Sequence, residues 1–228
     1  MIHLVRHTYN IYDKTVQFSQ DDSRYLLRVR RVRIGDKLTL FAQQKRYDVT
    51  LSETEKHSLF AIIDKVSEVP LPEHEVTLVI SVGERKAVEL AVKNGVEAGA
   101  HHIVLVRSAR SNATVADFEN REERLRTIIL SAASQAHRLF TPTLHFSQWS
   151  EMVVSEGNHY VFHPSGINAS SVEIADTPIV WIGPEGGFSG EEIEQLKERG
   201  ATLLSLPMPI LRMENGVTAA LTKIFLSF

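Results

Sequence analysis

The sequence predicts an α/β protein with a small β domain at residues 1–70 and a larger domain, built on a parallel sheet, at residues 73–228. In the first 70 residues, short apolar segments alternate with turns, which is typical of a small barrel-like β domain. Pro70 and Pro72 then interrupt the pattern, and the domain boundary is expected there. Beyond Pro72, apolar strands alternate with helical patterns, and this alternation indicates a parallel sheet covered by helices.

Three segments of the N-terminal part have the pattern of short strands, namely residues 37–41, 47–51 and 61–66. Gly35 and Asp36 supply a turn before the first of them. We therefore expect a compact domain of short strands joined by turns.

The N-terminal part also carries a basic run. Residues 24–46 contain eight Lys and Arg residues and one acidic residue, Asp36, although the whole protein has a net charge of −3. Such a run in an acidic protein indicates a surface that contacts a phosphate backbone, and the alternative is an ordinary solvated face. The candidate nucleic-acid contacts are Arg24, Arg28, Arg30, Arg31 and Arg33.

The C-terminal part begins with the strongest strand pattern. Residues 76–82 are almost continuously apolar, as a parallel strand buried on both faces should be. A helix is expected at about residues 85–98. Further strands are predicted at residues 102–106, 160–162, 178–182 and 202–206, and a last helix at residues 218–225.

One amphipathic helix is predicted between the strands at 102–106 and 160–162. Apolar side chains recur there at helical spacing and predict a buried stripe. The stripe consists of Leu125, Ile128, Ile129, Ala132, Ala136 and Leu139.

A glycine-rich loop joins the strand at 178–182 to a helix that ends at Gly200. Ser189 and Glu192 stand three residues apart and predict a capping box at the start of this helix. Ligands of open α/β sheets bind at the carboxyl ends of strands, and glycines let a ligand approach the backbone. The loop lacks the spacing of Rossmann and P-loop fingerprints, and a turn that binds nothing is the alternative. The candidate ligand contacts are Gly183, Pro184, Glu185, Gly186 and Gly187.

A second loop follows the strand at 202–206. Its apolar pair, Ile210 and Leu211, is suited to walling an adenine pocket, while Arg212 and Glu214 present charge to a substrate. The alternative for the charged residues is a surface ion pair of small energetic value.

Composition excludes several other classes. No cysteine is present, which rules out disulfide frameworks, thiolate metal sites and cysteine nucleophiles. The sequence has no apolar run of 18 residues and no secretory signal, so we expect a cytoplasmic protein without membrane contact. The ten histidines lack metal-ligand spacing, and no metal is expected.

The two loops resemble a known family. The sequence Gly-Pro-Glu-Gly-Gly-Phe-Ser at 183–189, followed by Ile-Leu-Arg-x-Glu at 210–214, resembles the bacterial 16S rRNA uridine-N3 methyltransferases of the SPOUT superfamily. Three further segments are similar to that family. They are the basic segment 25–36, the helix–strand passage 93–108, and the segment 134–142 with its Gln and Arg.

The resemblance implies a SPOUT-type parallel sheet with a trefoil knot, a PUA-like RNA-binding N-terminal domain, and a homodimer. It implies that S-adenosylmethionine is the cofactor and that 16S rRNA, free or in the small ribosomal subunit, is the partner. The implied cofactor contacts are residues 183–187 together with Leu206, Pro207, Ile210 and Leu211. Arg212 is the first candidate for favouring the uridine anion by its charge, with Arg107 and Arg138 behind it, and Glu214 is the candidate for accepting a proton or orienting Arg212.

The second loop departs from the family pattern. Pro207, Pro209, Asn215 and Gly216 replace the Gly, Arg, Thr and Ala usual there. Residues 206–208 instead resemble the Ile-Pro-Met of SPOUT ribose 2′-O-methyltransferases. Two alternatives therefore remain open, another SPOUT RNA methyltransferase and a non-catalytic RNA-binding homologue.

Overall fold

A computed structural model describes residues 2–55 and 58–228 and divides the chain into two units. The first unit extends to Leu71 and includes Ala133–Thr141. The second comprises Pro72–Ala132 and Pro142–Phe228. Among the described residues no helix has the length and apolar character needed to cross a membrane.

The first unit contains a six-stranded sheet in the order β1-β4-β5-β6-β3-β2. Strands β1 and β4 pair in parallel, and the other neighbours in this described sheet are antiparallel. A small sheet domain was predicted here and is confirmed. Its strands are β1 (Ile2–Val5), β2 (Asn10–Tyr12), β3 (Thr15–Gln17), β4 (Lys37–Ala42), β5 (Lys45–Glu55) and β6 (Ser58–Glu68).

The hairpin β5–β6 is longer than the short strands expected from the sequence. Each strand has 11 residues, and the pairing shifts between Asp48 and Val49 and again between Leu51 and Glu53. Such irregularities bend and twist a long hairpin, so that it covers a small core. That core includes Leu4, Phe18, Leu26, Leu40, Leu51 and Leu59.

The second unit is a six-stranded sheet, parallel throughout, in the order β12-β10-β11-β7-β8-β9. The predicted parallel α/β architecture is confirmed, and β8 and β11 have the predicted bounds. The strands are β7 (Thr77–Ser81), β8 (His102–Val106), β9 (Thr143–Ser147), β10 (Asn158–Asn168), β11 (Pro178–Ile182) and β12 (Thr202–Ser205).

Helices accompany this sheet, and α2 packs against α7. In chain order, the α-helices of the described residues are α1 (Gln20–Arg24), α2 (Arg85–Glu97), α3 (Val115–Glu119), α4 (Glu122–Gln135), α5 (Trp149–Val153), α6 (Gly190–Glu198) and α7 (Met213–Phe225), and shorter π and 3-10 helices lie at Tyr25–Val29 and Ala169–Ser171.

The predicted helix is confirmed, with Leu125, Ile129 and Ala132 buried, but α4 stops at Gln135, and the extension of the stripe to Ala136 and Leu139 was wrong. His137 adopts the left-handed conformation, with φ 54°. The amide of Arg138 donates to the Ala133 carbonyl at 2.9 Å, and that of His137 donates to the Ser134 carbonyl. These two bonds form a Schellman motif that ends the helix, and Leu139 beyond it is exposed.

Helix α7 begins at Met213, five residues before the predicted start. Arg212 is extended at the N-cap position, and its carbonyl accepts hydrogen bonds from the amides of Asn215 and Gly216. Glycine disfavours helix in an isolated sequence, but here Asn94 of α2 donates its side-chain amide to the Glu214 carbonyl at 2.8 Å. This tertiary contact fixes the first turn and places Glu214 on a helix.

Candidate functional site

An open cleft of about 1040 Å³ lies in the second unit, where β10, β11 and β12 meet the segments that follow them. Its size suits a small-molecule ligand with room for part of a second reactant. Three walls enclose it. They are residues 182–188 after β11, residues 204–206 and 208–214 around the end of β12, and Glu84, Lys86, Ala87 and Leu90 at the start of α2, with Arg110 and residues 162–164 also in the lining.

The glycine-rich loop, residues 183–189, has a defined backbone shape. The amide of Gly187 donates to the Pro184 carbonyl at 2.8 Å, and Gly187 has φ +67°, a conformation that favours glycine. The predicted capping box is confirmed, because the Glu192 amide donates to Ser189 Oγ at 3.2 Å and Glu192 Oε2 accepts from the Ser189 amide at 2.8 Å. The loop therefore enters α6 through a fixed turn.

Two other glycines of this loop are closely packed. A Cβ atom on Gly186 would lie 3.3 Å from Cβ of Arg110, and one on Gly183 would lie 3.3 Å from the ring of Phe188. Glu185 Oε1 accepts a hydrogen bond from the Glu84 amide at 3.2 Å, at the start of α2. The loop thus turns its backbone rather than side chains of residues 183 and 186 toward the cleft.

The wall after β12 presents both apolar and charged groups. Ile210 is 87% exposed and Met208 is 49% exposed, although both line the cleft. Arg212 is exposed at the N-cap of α7, and Glu214 is half-buried on its first turn. This wall can therefore contact a flat apolar group and place a cation beside it.

Several other lining residues were not identified from the sequence. They include Lys86, Arg110 and His163. Arg110 Nη1 donates to the Gly186 carbonyl at 2.9 Å. The signal that points to Arg110 is position, because it follows β8 by four residues, near the carboxyl end of a parallel strand. His163 lies within β10, where the pairing with β12 shifts between Phe162 and Ile167, and no sequence pattern marks it.

Most of the predicted cofactor and catalytic residues meet in this cleft, but three do not. Arg107, which directly follows β8, and Pro207 are absent from its lining. Arg138 belongs to the first unit, where its carbonyl accepts a hydrogen bond from His3 Nε2 at 2.6 Å and burial lowers the pKa of its guanidinium to about 10. The predicted residues that line the cleft are Gly183, Pro184, Glu185, Gly186, Gly187, Leu206, Ile210, Leu211, Arg212 and Glu214.

We expect His163 to be a neutral imidazole at neutral pH. Burial lowers its pKa below the ordinary value of 6.5, and the positive charge of Lys197 lowers it further. An NMR titration of His163 should give a midpoint below 6.5. Lys197→Met should raise the midpoint, because it removes the repulsive charge, and a midpoint at or above 6.5 in the unmodified protein would contradict the assignment.

The basic run of the first unit is exposed. All five candidate arginines are at the surface, and the segment is anchored by the buried side chains of Leu26 and Val32. Val29 and Ile34 are also exposed, at 66% and 56%. Guanidinium groups interspersed with exposed apolar side chains suit a nucleic-acid strand, which offers phosphates and base faces together.

In the part of the chain that the structure describes, acidic and imidazole side chains do not cluster as a metal site would require. Within residues 2–55 and 58–228, no three or more His, Asp or Glu side chains are grouped so that they could hold a metal ion.

Two family models match this chain. A model described as the RNA methyltransferase domain matches residues 69–225, and one described as the RNA methyltransferase PUA domain matches residues 18–64. Among relatives, ribosomal RNA small subunit methyltransferase E of Mesomycoplasma hyopneumoniae is 30% identical over 168 residues, covering 71% of this chain and 74% of the relative. Ribosomal RNA small subunit methyltransferase E 2 of Borreliella burgdorferi is 28% identical over 209 residues, covering 86% and 85%.

Solved structures are similar over nearly the whole chain. A methyltransferase from Legionella pneumophila, in complex with the cofactor S-adenosylmethionine, has a TM-score of 0.88 at 22% identity and covers 99% of this chain and 97% of its own. A ribosomal RNA small subunit methyltransferase E from Neisseria gonorrhoeae, bound to S-adenosylmethionine, has a TM-score of 0.86 at 24% identity and covers 97% and 95%. At these identities the likeness shows a shared fold.

Proposed function

The chain belongs to the RNA methyltransferase family, together with the small subunit methyltransferases E, and from this premise we propose that it transfers a methyl group from S-adenosylmethionine to N3 of a uridine in 16S rRNA. The observation that carries the proposal is the cleft, which the glycine-rich loop and the wall containing Arg212 both line beside a parallel sheet. The same cleft brings ten of the predicted cofactor and catalytic residues together.

The cleft fits S-adenosylmethionine. Residues 183–187 line the cleft, and Gly183 and Gly186 carry no side chain that would stand between their backbone groups and a ligand. Leu206, Ile210 and Leu211 supply the apolar contacts for the adenine, and the high exposure of Ile210 leaves its surface available to a ligand. When bound, the cofactor supplies an electrophilic methyl group on a sulfonium.

Methylation of uridine N3 requires loss of the imide proton. The N3 electron pair then forms the new N–C bond, the S–C bond breaks with its electrons left on sulfur, and the proton goes to a base or to water. Arg212 favours the uridine anion by its charge, which matters most as the anion develops. Arg212 is the N-cap residue of α7, and Glu214 lies two residues farther along, where it accepts the proton or orients Arg212.

Within this proposal, residues 1–70 form the PUA-like RNA-binding domain and residues 73–228 the methyltransferase domain. The exposed arginines Arg24, Arg28, Arg30, Arg31 and Arg33 contact RNA phosphates. We also propose that the enzyme is a homodimer, that its sheet is threaded as a trefoil knot, and that it acts in the cytoplasm.

Methyl transfer to undermethylated ribosomal RNA, mapped at single-base resolution, tests the proposal. Free 16S rRNA and assembled small subunits should be compared as substrates. Methylation at a uridine N3 is the expected result. Transfer to a ribose 2′-oxygen would support the other SPOUT activity instead, and binding of the RNA without transfer would identify a non-catalytic homologue.

Replacing the arginines of the basic run should weaken RNA binding and flatten its salt dependence. Removal of each phosphate contact should reduce the slope of log affinity against log salt by about 0.7–0.9, because fewer counterions are released. Arg28→Ala and Arg31→Ala can be compared with Arg199→Ala, an exposed arginine of the second unit. If Arg28 and Arg31 change the slope no more than Arg199 does, the run is an ordinary solvated face.

A further inference from the structure

The carboxylate of Glu192 does more than cap α6. The residue is only 6% exposed, and its Oε2 completes the capping box with the Ser189 amide. Its other oxygen, Oε1, accepts a hydrogen bond from the amide of Ala109 at 2.6 Å. Ala109 lies 83 residues away in sequence, in the segment that follows β8. One buried carboxylate therefore joins the loop 183–189 to the segment after Arg107.

Arg110 makes a second connection between the same two segments. Its guanidinium donates to the Gly186 carbonyl at 2.9 Å, and its side-chain stem covers Gly186 so closely that a Cβ there would be 3.3 Å from Cβ of Arg110. Residues 108–111 form a hydrogen-bonded turn, in which the amide of Ser108 donates to Ser111 Oγ and the amide of Ser111 donates to the Ser108 carbonyl. The connection therefore leads from the loop to a fixed turn.

A loop with three glycines needs such support. Glycine loses more backbone freedom on ordering than any other residue, so residues 183–187 would sample many shapes if only their ends were fixed. Hydrogen bonds to a buried charged group are stronger than those between neutral groups. Contacts that hold a binding loop in its bound shape improve affinity, since less ordering remains to be done when the ligand arrives.

We propose that Glu192 and Arg110 are positioning residues that hold the loop 183–189 in the shape that accepts the cofactor, and that they couple this loop to the segment carrying Arg107. Naming the cofactor as S-adenosylmethionine rests on the proposed function. The coupling itself rests on the contacts of Ala109 and Gly186. It gives Arg107, which does not line the cleft, a physical connection to the cofactor loop.

Glu192→Asp separates the two roles of this carboxylate. Aspartate completes a capping box elsewhere in this chain, where Asp117 accepts from the Thr114 amide at 2.8 Å. Glu192→Asp should therefore keep the cap of α6, but its side chain is one methylene too short to reach Ala109 as well. Arg110→Met keeps a long stem over Gly186 and removes the hydrogen bond to its carbonyl. Glu191→Asp is the matched control, because Glu191 is exposed on the same turn.

The experiment measures two quantities on the protein without its RNA substrate. Calorimetry with S-adenosylhomocysteine should show a dissociation constant raised about tenfold by Glu192→Asp, and raised also by Arg110→Met. Hydrogen exchange of the Ala109 and Gly187 amides should accelerate about tenfold in Glu192→Asp, whereas exchange of the Ser189 amide should stay slow. In turnover, the KM for the cofactor should rise more than kcat falls. Glu191→Asp should match the unmodified protein in every measurement.

These measurements test the positioning role and the proposed function separately. Unchanged affinity and unchanged Gly187 exchange in Glu192→Asp, with the unmodified protein binding S-adenosylhomocysteine, would overturn the positioning role and leave the function intact. If the unmodified protein does not bind S-adenosylhomocysteine, the proposed function fails. In that case faster Gly187 exchange in Glu192→Asp still supports the coupling of the two segments, and unchanged exchange overturns it.

Discussion

Replacing Arg212 by alanine is expected to lower kcat by about 100-fold, the loss typical of removing one electrostatic contact to a developing anion. Arg212 is exposed at the N-cap of α7 and lines the cleft, so its charge is available to a substrate base. That charge matters most when the uridine is anionic, so the dissociation constant for the cofactor should change little. Single-turnover methylation at saturating cofactor, with calorimetry alongside, measures the two effects separately.

Helix stability does not confound this comparison. Arg212 makes no side-chain capping bond, so alanine at this position removes no cap from α7, and the unfolding temperature should stay close to that of the unmodified protein. Arg212→Lys keeps the charge but loses the planar fork of donors, and it should restore activity only in part. Asn215→Ala, on the same turn but outside the cleft lining, is the control. Unchanged rates in both Arg212 variants would make the residue structural.

The central strands could be predicted from the sequence because each is buried on both faces. The strands at Pro178–Ile182 and His102–Val106 are apolar over nearly their whole length, and no competing helical period obscures them. The capping box at Ser189 was predictable for a different reason. It depends on two side chains three residues apart, a local arrangement that needs no tertiary information.

The ends of two helices depend on contacts that the sequence pattern does not encode. The apolar stripe of α4 continues in sequence to Leu139, but His137 in the left-handed conformation ends the helix earlier. The start of α7 contains Asn215 and Gly216, whose residue types indicate a loop until Asn94 from α2 is placed against that turn. Backbone conformation and tertiary contact decide these limits, so periodicity alone predicts them wrongly.

The residues of the cleft also differ in whether local sequence or tertiary structure identifies them. The glycine-rich loop stands out because its residue types are unusual, whereas Arg110 and His163 are ordinary residues that reach the cleft only through the parallel arrangement of β8 and β10. The two carboxylate oxygens of Glu192 illustrate this contrast between local and tertiary contacts. One makes the local contact that the motif predicts, and the other bonds Ala109, which only the fold brings near.

Gly186→Val is expected to weaken cofactor binding by roughly tenfold or more. One reason is already visible in the sequence, since glycine lets a ligand approach the backbone. The structure adds a second, because a Cβ at this position would meet Arg110 at 3.3 Å and the two methyl groups of valine extend farther. Either Arg110 leaves the Gly186 carbonyl or the loop moves, and both changes disturb the cofactor wall.

Gly190→Val is the matched control for this substitution. Gly190 begins α6 at the end of the same loop, and a Cβ there meets no heavy atom within 4 Å. The same side chain is therefore introduced against a close neighbour at one position and into open space at the other. Calorimetry with S-adenosylmethionine should show weaker binding for Gly186→Val and nearly unchanged binding for Gly190→Val. If the folded Gly186→Val and Gly190→Val proteins bind S-adenosylmethionine equally well, the cofactor does not contact this loop. A branched side chain beside Arg110 would disturb a ligand that lies against Gly186.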